Sequence, residues 1–169
     1  MPIEGVKQER ANWCWAACLR MCCLHFNIAA PDQCEIARTG LAMQGVDCGD
    51  CCQPPTDPDP CNVTLDEAFV GSLYWETGFF AAPKGAPSEA DVRQALSATT
   101  LALLLVDRGG AFHFVVAFGR DAAGAYSLGD PAVVGGGPVS QAWSRINGGA
   151  GVQCLWTVRP RVAADVKPA

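Results

Sequence analysis

The chain has 169 residues, half of them hydrophobic, with 17% charged and a net charge of −5. That length and composition suit one domain with a real core. The acidic balance, with no basic run to neutralise phosphates, excludes nucleic acid as a partner. The apolar run Leu101 to Val106 fits one buried strand and is far too short to cross a membrane.

In chain order, residues 1–13 read as extended or irregular. A helix follows from about Cys14 to Phe26, where Trp15, Leu19, Cys22 and Phe26 recur at spacings of three and four and form one apolar stripe. A second helix is predicted from Pro31 or Asp32 to Arg38, ended by Gly40. Glycines and prolines exclude regular structure over residues 44–62, where Cys48, Cys51, Cys52 and Cys61 are concentrated. Thr64 and Glu67 have the spacing of a capping box for a helix running to Tyr74 or Trp75. Pro83 to Pro87 is a break, and Ser88 caps a helix through about Ala98, with Asp91 placed to reach back. Leu101–Asp107, Phe112–Gly119 and Ala125–Gly129 then read as an antiparallel meander. Gly135 to Pro138 is a loop, and Gly135–Gly137 is a flexible rim. It lacks the helix and lysine that a phosphate loop requires. Ser140–Ile146 is a short helix and Val152–Val158 a last strand. Helices first and strands later predict an α+β fold with two lobes sharing one site. The expected organisation is one domain over residues 1–160, a frayed tail over 161–169, and a monomer.

Ten cysteines in this length is far above average. If one is a reactive thiol, nine remain and cannot all pair. Cys34, Cys51, Cys52 and Cys61 are expected to form two disulfides that pin the proline-rich loop, with Cys48 near them and with Cys51 and Cys52 taking different partners. A zinc site drawn from Cys34, Cys48, Cys51, Cys52 and Cys61 is the alternative, since Cys48 and Cys51 have a metal-type spacing, and free thiols are the third. Cys18 and Cys22 read as small packing residues on the face of Cys14. Cys23 and Cys154 read as core residues or a pair. No other cofactor is indicated. Met1 to Gly5 carries no charged-then-apolar leader pattern. The cysteine content nevertheless favours export over a strictly cytoplasmic location.

Four residues carry a candidate chemistry. Cys14 stands at a helix start, where free backbone N–H groups and the helix dipole favour thiolate over thiol. A structural cysteine is the commoner fate of any single cysteine, so the case rests on its companions. Gln8, six residues upstream, offers a side-chain amide to an oxyanion. The chain has two histidines. His25 lies about three turns along the helix from Cys14, too far to touch it, and reads as solvated or as a partner of the helix dipole. His113, inside an apolar strand, is left as the only base. A lone strand histidine is more often a core residue, and Asp130 before Pro131 is more often a turn residue. Together they fit an imidazole oriented by a carboxylate. Trp13 and Trp15 are core anchors, Trp15 also walling the site, and Trp143 is placed to shield the His113–Asp130 bond.

These residues resemble the papain-like cysteine peptidase superfamily. Gln8 ahead of Cys14-Trp15 is similar to its oxyanion glutamine and its Cys-Trp nucleophile. The string Trp13-Cys14-Trp15-Ala16-Ala17-Cys18, with His113 leading a hydrophobic strand and then Asp130-Pro131, resembles the compact bacterial branch. That branch includes phytopathogen effector proteases and relatives of bacteriocin-leader peptidases. The likeness covers most of residues 6–158 in order. It implies a two-lobe papain-like fold with Cys14 as nucleophile, His113 as general acid/base, Asp130 as orienter and Gln8 as oxyanion donor. The implied activity is hydrolysis of a peptide or protein amide bond through an acyl-enzyme. The sequence departs from the plant and animal enzymes, which have asparagine followed by tryptophan where Asp130-Pro131 stands. Rival readings are an acyltransferase or transpeptidase using the same thiol, a catalytically silent binding module, and a redox or metal-handling protein built on the cysteine cluster.

Overall fold

A computed structural model of the chain describes residues 4–133, 138–148, 151–165 and 167. Five helices, α1 (Cys14–His25), α2 (Gln33–Met43), α3 (Val70–Glu76), α4 (Glu89–Ala95) and α5 (Trp143–Ile146), surround one sheet. Its strands are β1 (Phe79–Gly85), β2 (Leu101–Asp107), β3 (Phe112–Arg120), β4 (Tyr126–Gly129), β5 (Pro138–Gln141) and β6 (Gly151–Pro160). The order is β1-β6-β2-β3-β4-β5, every pairing antiparallel. The architecture is α+β, and the meander expected from Leu101 onward is β2-β3-β4.

Strand β2 reads as an unbroken apolar run because both of its faces are covered. Leu101, Leu103 and Leu105 join the core under α1, α2 and α3. Ala102, Leu104 and Val106 point the other way, into a second core with α4 and α5. The period-two alternation of a strand thus divides one run between two cores. Helix α1 is buried on more than the single predicted stripe: Cys14 to Leu19 and Met21 to Cys23 are all buried. A helix enclosed on all sides needs small residues where neighbours approach, and its alanines and cysteines supply them.

Several boundaries differ from the sequence expectation. Helix α2 runs through Gly40 to Met43. Gly40 does not end it; a Cβ there would lie 2.9 Å from the Trp15 ring, so the glycine lets α2 approach α1. The left-handed glycine past the helix is Gly45, at φ 74°. Asp66, not Thr64, caps the next segment, accepting from the Ala68 N–H at 2.9 Å and opening a 3₁₀ turn that leads into α3. The predicted break at Pro83 lies within strand β1. That strand is at the sheet edge, where a residue without an N–H is tolerated. At the other edge, residues read as loop and helix form β5, with Pro138 as its first residue, and α5 is only Trp143–Ile146. Ser88 and Asp91 do form a reciprocal capping box, although α4 stops at Ala95. The glycines at 135–137 lie outside the described residues.

The segment after Pro160 returns to the body. The Arg161 N–H reaches the Gly78 carbonyl at 2.9 Å, Asp165 pairs with Arg159, and Lys167 pairs with Glu76.

Candidate active site

The site is assembled from three places in the chain: the residues leading into α1, the start of β3, and the turn after β4. Cys14 is the first residue of α1 and is 6% exposed. Helix α1 packs against β3, which brings the backbone N–H of Phe114 to 3.5 Å from the Cys14 sulfur. Cys14 also stands in the first turn of the helix, whose N–H groups lack intrahelical acceptors.

His113, next to Phe114 on β3, lies between Cys14 and Asp130 and interacts with both side chains. Its Nε2 is 2.7 Å from Asp130 Oδ1, leaving Nδ1 for the thiol. Burial pulls the imidazole pKa down. The hydrogen bonds to Asp130 and Cys14, and their negative charges, outweigh burial and place it above the ordinary histidine value.

Asp130 is one of two buried polar residues in the described chain. Burial favours its neutral form. The contacts with His113, with Arg108 and with the Ala132 N–H overrule that and hold the carboxyl well below the usual carboxylate range. Its Oδ1 accepts from Ala132 N at 3.0 Å as well as facing His113, and its Oδ2 accepts from Arg108 Nη2 at 2.6 Å. Trp143, expected to shield this bond, packs instead against Tyr126, with ring centroids 6.1 Å apart. In the sequence Arg108 falls in the gap between the strands Leu101–Asp107 and Phe112–Gly119, and Phe114 within the second. The one signal for Arg108 was a cation at the end of the strand that pairs with the histidine's strand.

Gln8 lies in the strap before α1. Its Nε2 donates to the Arg10 carbonyl at 3.0 Å and the Ala11 carbonyl at 2.5 Å, while Oε1 is buried without a partner. Its backbone is clamped from two sides. Gln8 N donates to the Pro131 carbonyl at 3.1 Å, just past Asp130. Buried Gln33 of α2 donates to the Lys7 carbonyl at 2.8 Å and accepts from Glu9 N at 3.1 Å.

The rest of the strap rests on the proline- and cysteine-rich loop. Arg10 donates to the Cys51 and Gln53 carbonyls, each at 2.9 Å, and pairs with Asp59. Asn12 makes two bonds with Asn62, and Trp13 Nε1 donates to the buried Cys61 carbonyl at 2.7 Å. Trp15 Nε1 reaches the Val63 carbonyl at 3.3 Å. Two disulfides, Cys34–Cys52 and Cys51–Cys61, hold the loop. The vicinal cysteines take different partners. With four of the five candidate zinc ligands joined in this way, Cys48 is the free thiol of the cluster, its sulfur 3.2 Å from that of Cys51.

The remaining cysteines are free thiols. Cys18 and Cys22 are fully enclosed beneath Cys14, and burial pushes both thiols up. Burial also pushes Cys23 up to about 11, and it does not pair with Cys154. His25, expected to be solvated or a partner of the helix dipole, stands in the last turn of α1 and packs edge-on to Phe26 and against Phe118. Burial there lowers its pKa.

Cys14 opens onto a cleft of about 1010 Å³ lined by Asn12, Trp15, Gly85, Gly110, Phe112 and Gln153 among others. Phe112 is 61% exposed on its rim. No helix among the described residues is long and apolar enough to cross a membrane.

No family model and no curated protein matches the sequence. Solved structures match in fold. The peptidase domain of Streptococcus ComA, a bifunctional ABC transporter involved in quorum sensing, aligns at a TM-score of 0.66 and 11% identity, over 94% of this chain and 99% of that one. A double-glycine-motif protease from an AMS/PCAT transporter, in complex with its leader peptide, aligns at 0.58 and 17% identity, over 93% and 91%. At these identities the likeness is one of fold. Helices on an antiparallel six-stranded sheet give the chain the papain-like fold of these domains.

Proposed function

We propose that this chain is a cysteine peptidase that cleaves a peptide amide bond through an acyl-enzyme at Cys14. The observation that carries the reading is the contact chain from the Cys14 thiol through His113 to the Asp130 carboxylate, with Cys14 lining a cleft of about 1010 Å³. His113 takes the thiol proton on Nδ1, Asp130 holds the ring through Nε2, and the sulfur attacks the scissile carbonyl carbon. His113 then passes the proton to the leaving amine. In the second half it removes a proton from water, which attacks the thioester and frees the thiol. The negative charge on the carbonyl oxygen meets N–H groups of the first α1 turn and the amide of Gln8. Gln8 gives up one of its two loop carbonyls to do so. The leader peptide bound by one structural neighbour supports a peptide of that kind as substrate.

The test is turnover of a peptide library by wild type and Cys14→Ala, with product masses read with and without an added amine. Cys14→Ala is expected to abolish turnover and stoichiometric alkylation while the fold persists. Activity that survives Cys14→Ala sinks the mechanism. Amine adducts as the main product point to acyl transfer instead of hydrolysis.

A further inference from the structure

Arg108 belongs to the hairpin between β2 and β3. The turn is closed by Arg108 N to the Ala111 carbonyl at 3.0 Å and by Gly110 N to Asp107 Oδ1 at 2.7 Å, with Gly109 and Gly110 at φ 84° and 92°. Asp107 is therefore engaged with the turn backbone. The Arg108 guanidinium reaches across β3 to Asp130 Oδ2 at 2.6 Å. The Asp130 side chain is 3% exposed and that of Arg108 44% exposed, so the cation stands between the carboxylate and solvent. Other charged and titratable groups face the same point. Cys14 and Cys18 approach from α1, and Asp107 and Arg145 line, together with Arg108 and Asp130, a cleft of about 310 Å³.

A buried carboxylate beside a histidine has two effects that a neutral acceptor lacks. It favours the imidazolium strongly, and it costs desolvation energy unless another cation balances it. We propose that Arg108 is a positioning residue for the thiol chemistry: by occupying Asp130 Oδ2 and balancing its charge, it aims Oδ1 at His113 and keeps the imidazole from being locked in its protonated form. The Asp130 carboxylate is then held between two partners, His113 on Oδ1 and Arg108 on Oδ2. The inference rests on the peptidase reading for its effect on rate, but not for its effect on His113.

The experiment follows three quantities in wild type, Arg108→Ala, Arg108→Lys, Asp130→Asn and the double variant Arg108→Ala/Asp130→Asn. They are the His113 ring titration by NMR, the pH dependence of Cys14 alkylation by iodoacetamide, and kcat/KM on a cleaved peptide. Arg108→Ala is expected to move the His113 titration and the basic limb of alkylation upward, because the carboxylate's charge is no longer balanced. It should lower kcat/KM roughly tenfold or more, the scale of losing a partner that fixes a catalytic group's orientation. Arg108→Lys keeps the charge without the fork and should restore the titration while recovering only part of the rate. Asp130→Asn should cost less in the Arg108→Ala background than in wild type, because the double variant leaves no unbalanced charge. A His113 titration that stays at its wild-type position in Arg108→Ala, or an Asp130→Asn effect equal in the two backgrounds, overturns the proposal and leaves an ion pair with no bearing on His113. Should Arg108→Ala fold poorly, Arg108→Lys and the double variant decide. If no peptide is cleaved but the His113 titration moves as stated, the inference about Arg108 stands and the peptidase reading fails.

Discussion

The two sides of the candidate site are held by different forces. The strap bearing Gln8 and leading to Cys14 is fixed by hydrogen bonds between mostly uncharged groups, onto a loop closed by two disulfides. Arg10, which pairs with Asp59 and donates to the Cys51 and Gln53 carbonyls, is the exception. The side bearing His113 is fixed by alternating charges, Arg108 to Asp130 to His113, mounted on regular strands that need no crosslink. Residues 44–62 contain no helix or strand, so their loop entropy must be reduced by covalent bonds. The β3–β4 side already has its backbone paired, and the cost to be met there is the desolvation of a buried carboxylate. One side should therefore respond to reductant and the other to pH.

The largest effect is expected from opening the disulfides. Loops of 18 and 10 residues are closed by Cys34–Cys52 and Cys51–Cys61, and each crosslink contributes about 3 kcal/mol in the chain-entropy account. Cys51→Ser/Cys61→Ser should lower the melting temperature and the rate of Cys14 alkylation. The second effect arises because the carbonyls of Cys51 and Cys61 anchor Arg10 and Trp13. The pH at which alkylation rises and falls should not move. A moved midpoint would mean that the loop also sets the charge state of the site, and the comparison would fail.

The pH response should lie on the other side and be smaller. His113 has a raised pKa in the folded protein. Its contribution to stability is fully present below the unfolded value of about 6.5 and is lost as pH rises through the folded value. Asp130 is depressed. Its contribution is present above the unfolded value of about 3.9 and is lost as pH falls through the folded value. Stability measured by denaturant from acid to alkaline pH should therefore decline on both flanks. Both declines should weaken in Asp130→Asn, and neither should change in Cys51→Ser/Cys61→Ser. Flanks unaltered by Asp130→Asn would place the pH sensitivity elsewhere in the chain.

How much of this was legible in the sequence follows the same division. Cys14, His113 and Asp130, which the structure brings together, could be singled out because few residues were eligible: a cysteine at a helix start, and a histidine with one rival that helix geometry removes. The different partners of Cys51 and Cys52 were legible because vicinal cysteines rarely join each other. Arg108 was not legible. Its partner is 22 residues away and is reached only when β3 and β4 pair beside β2. Its local surroundings, two glycines and an aspartate, read fully as a turn. Gly40 was misread for a related reason. A glycine that ends a helix and one that admits a neighbouring indole look alike until the Trp15 contact is known. Pro83 and Pro138 were read as breaks because prolines are excluded from strands in general, and a sequence does not show which strands lie at the sheet's edges.

Trp13→Phe isolates the strap without touching a disulfide or the charges of His113, Asp130 and Arg108. The substitution keeps most of the buried ring and removes one donor, Nε1, from the enclosed Cys61 carbonyl 2.7 Å away. Leaving a buried acceptor unsatisfied costs about 1–3 kcal/mol. The smaller ring also weakens the stacking of Arg10, whose guanidinium carbon lies 4.5 Å from the Trp13 ring centroid, an interaction of about 1–2 kcal/mol at so enclosed a site. Trp13 immediately precedes Cys14, and its carbonyl accepts the first helical bond, from Ala17 N at 3.0 Å. A shift of its ring is therefore carried into the start of α1. The expected result is a modest fall in unfolding free energy, a slower alkylation of Cys14, and the same pH midpoints as wild type. A loss of stability with wild-type alkylation would show that the indole anchors the loop and does not place the thiol, and the strap would then be reduced to Gln8, Arg10 and Asn12.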